Sequence, residues 1–170
     1  FTVVDPFNTS EVRGAMLAEQ IQHILDTTGY RQVVIVGHSQ GGLDARVVAH
    51  DHPEWVASVY TIATPHGGTA VSDVLDELVS DTRLRDALNA IASLVYTPLY
   101  DTTGATTSVW RGIDQFNTPN IAAFNAAYPD APSVSYFSIG GRSASHDGGA
   151  DCDVPGRPSF ISRWDRQLDP

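Results

Sequence analysis

The 170 residues are enough to bury one hydrophobic core, and a composition of 42% hydrophobic and 18% charged residues is that of a globular domain. The formal net charge of −10, with no lysine and ten arginines, argues against nucleic acid as a partner. No apolar run reaches the roughly 18 residues of a transmembrane segment, and no basic, apolar, small-residue leader stands at the front.

In chain order, "FTVV" reads as a short β-branched strand ended by Asp5-Pro6. A chain that opens at Phe1, inside a strand, is expected to be a piece of something longer. Asn8, Thr9 and Ser10 offer capping oxygens before "EVRGAMLAEQIQHILDTTG", an amphipathic helix with Leu17, Ile21, Ile24 and Leu25 on one face and Gly29 as its stop. "RQVVIVG" is a continuous apolar strand of the kind buried on both faces, and "GGLDARVVAHDHP" a helix broken by Pro53. "VASVYTIATP" is a second buried strand. This alternation predicts an α/β fold: a mostly parallel sheet, joined by right-handed crossovers, with helices on both faces.

From Thr69 the pattern changes. Val71, Val74, Leu75, Leu78 and Val79 repeat at helical spacing, Leu84, Leu88, Ile91 and Val95 continue it, and the next strand is "VSYFSIGG". Residues 69–128 therefore read as a helical insertion in a single domain spanning 1–170. It is either a core-packing excursion or a cap over a ligand site at the carboxyl edge of the sheet. Beyond that strand the chain is rich in glycine and aspartate, with His146-Asp147 and the single Cys152, and ends in "FISRWDRQLDP". Taken alone, an unpaired cysteine is either a free thiol or half of a disulfide completed elsewhere.

The chemistry is concentrated at Gly37-His38-Ser39-Gln40-Gly41. A serine hydroxyl attacks well only when a base takes its proton and donors hold the oxyanion that forms. The G-x-S-x-G elbow places the serine on a strained strand-to-helix turn, with small flanking residues that let neighbouring backbone approach. The pentapeptide alone is common; a buried strand before it and a helix after it make it specific. Ser39 is thus the candidate nucleophile and the Gln40 backbone NH a candidate oxyanion donor. The bland alternative is a glycine-rich turn with an idle serine. Among the downstream histidines, His50 and His52 fall at the end of the elbow helix, and these two and His66 read as structural or solvated. His146 is the one local fallback for a base, but its neighbour Asp147 points away from it and cannot complete an acid–base pair.

"VVIVGHSQGGLDARVVA" followed by "VASVYTIATPHGGT" resembles the bacterial triacylglycerol lipases of Pseudomonas and Burkholderia type, in the α/β-hydrolase superfamily. The GHSQGG elbow and the Thr64-Pro65-His66-Gly67-Gly68 segment carry the likeness. "NTSEVRGAMLAEQIQHIL" and "NTPNIAAFNAAYPDAP" resemble the helix before the elbow strand and the segment that closes the lid region. The resemblance implies a secreted enzyme that cleaves acylglycerol esters at an oil–water interface through an acyl-enzyme. It implies a lid from Thr69 to about Leu99, and His38 as a residue of the substrate-binding site. A carboxylesterase or acyltransferase on the same fold, or a non-catalytic acyl-binding module, are the alternatives.

The same resemblance implies that parts of the machinery lie elsewhere. The family places its acid in an "NDG"-like turn and its histidine in an "HLDE"-like segment, both beyond the point that "LDP" matches, and its first oxyanion donor on an "HG" loop ahead of "FTVV". Cys152 would pair with a cysteine near that histidine. No cofactor is needed for the chemistry. The family's structural calcium would be held in part by Asp169, yet calcium takes six to eight oxygens and one carboxylate makes no site. Whether a dedicated folding chaperone is needed cannot be read from the residues.

Overall fold

The structure, a computed structural model, describes residues 1–69, 72 and 109–140. All described elements belong to the first of two compact units, Phe1–Ile139; the second, Gly140–Pro170, is described only at Gly140. Three strands, β1 (Val33–His38), β2 (Val56–Ile62) and β3 (Ser135–Ile139), form a parallel sheet in the order β1-β2-β3. Helices α1 (Ser10–Thr28) and α2 (Gly41–Asp51) flank β1 in the chain, and α3 (Val109–Asp114) and α4 (Thr118–Ala127) precede β3. The expected α/β alternation is what the described residues form.

Helix α1 ends where Gly29 enters the left-handed region at φ 72° and its NH closes on the Leu25 carbonyl at 2.9 Å. Its N-cap is Thr9, with no side-chain capping bond; the Asn8 amide oxygen is taken by the Thr9 NH instead. Leu17 and Ile21 are buried as the periodicity predicts and Leu25 packs against the same cluster, but Ile24 is 40% exposed. Pro53 ends α2 as expected and opens one 3-10 turn, Pro53–Trp55, that leads into β2.

The core lies on one side of the sheet. Ala45, Val48 and Ala49 of α2 pack with Ile35, Val56 and Val59 of the strands and with Leu17 and Ile21 of α1. A second cluster joins Leu43 and Val47 of α2 to Ile121 and Phe124 of α4. Two readings of the sequence need correction. β1 is not buried on both faces: Ile35 points into the core, while Val34 and Val36 are 58% and 64% exposed on the side that no described helix covers. "FTVV" is not a strand among the described residues. Among the described residues no strand pairs with its backbone; the Gln20 side chain meets it, accepting from Val3 NH at 2.9 Å and donating to Val3 carbonyl at 2.7 Å.

The proposed lid falls outside the described residues at positions 70, 71 and 73–108. At the described end of that insertion, α4 packs on α2: the Arg46 guanidinium donates to the Asn125 side chain at 2.7 Å and to the Tyr128 carbonyl at 2.9 Å. Asn117 caps α4 by accepting from Asn120 NH at 2.9 Å. Among the described residues no helix is long and apolar enough to cross a membrane.

Candidate active site

The carboxyl end of β1 delivers Ser39 onto a tight turn. Ser39 NH still makes a sheet bond, to the Ile62 carbonyl at 2.9 Å, and then the chain reverses with Ser39 at φ 53°. A residue with a Cβ is strained in this left-handed region. The turn leaves Ser39 exposed at the entrance to α2. Its tightness explains the glycines: a Cβ on Gly37 would collide with the Gly41 carbonyl and sit 2.6 Å from Gly42 nitrogen, and one on Gly42 would sit 2.8 Å from Cγ2 of Thr64. Thr64 is brought there by a second left-handed residue, Ala63 at φ 49°, whose NH bonds the Ile139 carbonyl at 2.9 Å. Adjacent parallel strands thus end alike, and the second turn buttresses the first.

Gln40 follows as the N-cap of α2, with φ −53° and ψ −32°. Its carbonyl accepts from Leu43 NH at 2.9 Å and Asp44 NH at 3.1 Å, whereas nothing among the described residues accepts from its own NH. An unpaired NH at a helix amino end, directly after an exposed serine hydroxyl, is the local geometry that holds a developing oxyanion. His38 closes β1, exposed and in register with Ile62, which in turn pairs with Ile139. The sheet alternation places His38 on the uncovered face.

His50, His52 and His66 make contacts away from Ser39. His66 turns back onto the helix-covered side, where Nε2 lies 3.0 Å from Thr61 Oγ1 and its carbonyl accepts from Asn125 at 2.9 Å. Burial, reinforced by the nearby Arg46 charge, lowers its pKa from the ordinary histidine value, against the opposing pull of Asp130. His50 contacts Asp51 at 2.9 Å, and His52 stacks on Trp55 with centroids 3.9 Å apart. His146, Cys152 and Asp169 lie outside the described residues. Among the described residues no cluster of three or more His, Cys, Asp or Glu could hold a metal.

Sequence reasoning missed two polar features. Arg13 reaches α2 to pair with Asp44 through Nε at 2.9 Å and Nη2 at 2.8 Å, with the two side chains only 12% and 3% exposed. Burial pushes the Asp44 carboxyl up and the Arg13 partner pulls it back. Arg46 is the other, a buried guanidinium in a cavity of about 350 Å³ shared with Thr61, His66 and Asn125. Ser39 lines neither that cavity nor the one of about 340 Å³ beside α3 and α4. The sequence signal for both features was a charge inside the otherwise apolar face of "LDARVVA".

Comparison with known proteins agrees with this geometry. A family model described as the alpha/beta hydrolase fold matches residues 6–134. The chain is 29% identical over 160 residues to a triacylglycerol lipase of Pseudarthrobacter phenanthrenivorans, a match that covers 89% of this chain and 47% of the relative. A triacylglycerol lipase of Burkholderia plantarii is also 29% identical over 160 residues, covering 89% and 42%. The chain thus spans less than half the length of these curated relatives. In structure it resembles the mature form of a Bacillus licheniformis lipase, with TM-score 0.54, 24% identity and coverage of 78% of this chain and 48% of that one. With a parallel sheet, a strained serine between strand and helix, and a family match over most of its length, the chain belongs to the α/β-hydrolase family.

Proposed function

We propose that these residues are the nucleophile-bearing part of a secreted serine hydrolase that cleaves the carboxylic ester bonds of acylglycerols. The observation that carries the reading is the elbow: Ser39 at φ 53°, exposed, followed by a Gln40 NH that has no acceptor among the described residues. Ser39 Oγ attacks the ester carbonyl while a general base takes its proton, and the carbonyl oxygen, now anionic, accepts from Gln40 NH. The C–O bond to the alcohol breaks, the alcohol leaves with the proton, and water releases the acid from the Ser39 ester by the same route. The base and its acid partner are proposed to lie outside these 170 residues, as in the family that the elbow resembles; among the described residues His50, His52 and His66 make contacts on other elements and none is placed against Ser39. A calcium ion, if the full-length protein holds one, would be structural and plays no part in these steps.

The substrate class is supported by the likeness to triacylglycerol lipases of two bacteria, and His38 on the uncovered face is proposed to line the acyl path. The test is hydrolysis of p-nitrophenyl esters of increasing acyl length by the full-length protein, below and above the solubility limit. A lipase gains rate with long chains once they form an emulsion. A profile that favours short, dissolved esters identifies a carboxylesterase, and acyl binding without turnover identifies a binding module.

A further inference from the structure

We propose that the Gln40 side chain, in addition to its backbone, serves the reaction as a positioning residue, anchoring the oxyanion-donating NH to the buried loop Asp5–Asn8. The inference rests on Ser39 being the nucleophile. The Gln40 amide donates through Nε2 to the Asn8 carbonyl at 2.7 Å, and Asn8 is 1% exposed. Asn8 in turn donates through Nδ2 to Asp5 Oδ2 at 3.3 Å, and Asp5 Oδ1 accepts from Phe7 NH at 2.9 Å, so the loop is fastened within itself. Arg13 Nη1 holds the Asp5 carbonyl at 3.0 Å while the same guanidinium grips Asp44. Asp44 NH returns to the Gln40 carbonyl at 3.1 Å. The contacts form a closed ring that leaves the Gln40 side chain and comes back to the Gln40 backbone.

A ring of this kind matters because the direction of the Gln40 NH is set by the peptide plane that joins it to Ser39. Ser39 is strained, so that plane has a downhill path into ordinary backbone space unless both sides are held. The Gln40 carbonyl is held by two helical NH groups and its side chain by Asn8; the NH is the polar backbone group left for a ligand. A donor must be in place before the charge develops, since electrostatic stabilisation acts through preorganisation.

The test uses the full-length protein, with a fluorophosphonate probe to count active sites. Gln40→Met keeps the NH and removes the donor to Asn8; Gln40→Lys keeps a donor within reach of the Asn8 carbonyl. Per titrated site, we expect kcat of Gln40→Met to fall about 10- to 100-fold, short of the about 10²- to 10³-fold cost of deleting a whole oxyanion donor. KM is expected within about twofold of the parent value, since ground-state binding does not use the oxyanion. A trifluoromethyl ketone, which forms a charged tetrahedral adduct, should weaken by the same factor as kcat, and Gln40→Lys should recover part of both. A lower Tm with unchanged kcat per site, or equal losses in the Met and Lys variants, would overturn the proposal. Failure of the probe to label Ser39 in the unsubstituted protein would instead remove the nucleophile on which it rests.

Discussion

Ser39 occupies a backbone conformation that glycine tolerates freely and that costs a residue bearing a Cβ about 1 to 2 kcal/mol. The strain sits at the position where the proposed chemistry needs a hydroxyl. Ser39→Gly should therefore be more stable than Ser39→Ala by about 1 kcal/mol in thermal or denaturant unfolding, while both are inactive. Equal stabilities would mean that the turn is relaxed. The motif GHSQGG announced this turn, because Gly37 and Gly42 are where adjoining backbone and the Thr64 side chain leave no room for a Cβ. The Gln40–Asn8 bond was not legible. It joins residues 32 apart through a backbone carbonyl, and no residue type at position 8 advertises that.

At the scale of elements, α2 is the hub. Its amino end carries the elbow, one face packs on the sheet and α1, and Leu43 and Val47 receive Ile121 and Phe124 of α4. The seat of α4 depends on Asn117, which is 7% exposed, accepts from Asn120 NH and donates to Asp114 Oδ1 at 3.0 Å. Replacing it with alanine removes the cap and leaves partners unmet, so Asn117→Ala should lower stability by about 1 to 2 kcal/mol, read as a drop in Tm. A change within experimental scatter would show that α4 does not need its cap. Element type was legible for α1, α2, β1, β2 and β3 because local periodicity and breakers such as Gly29 and Pro53 coincide with tertiary packing. It failed for "FTVV" and for the outer face of β1, where pairing and burial depend on distant chain rather than on the residues themselves.

The whole molecule couples the two turns at the ends of β1 and β2 to a polar layer on the helix-covered side, where His66, Thr61, Asn125 and Arg46 meet. Burial, with the Arg46 guanidinium nearby, holds the His66 pKa in the fold below the ordinary value of about 6.5. The unfolded chain then binds more protons than the native one in the interval between those two values. The contribution of His66 to stability is fully present above about pH 6.5 and is lost as pH falls through that interval. His66→Gln should flatten this part of the Tm–pH profile, and an unchanged slope would assign the acid sensitivity to other groups. The resemblance to lipases was carried chiefly by the elbow and TPHGG segments, with the helix before the elbow strand and the "NTPNIAAFNAAYPDAP" segment beside them. The family match over residues 6–134 includes both segments.

The most direct measurement is peptide mapping of the full-length protein after reaction with a fluorophosphonate probe. The account predicts a single stoichiometric phosphonyl adduct on Ser39, absent in Ser39→Ala and retained in His66→Gln. A folded protein that takes up no probe, or that carries the adduct on another serine, would contradict it.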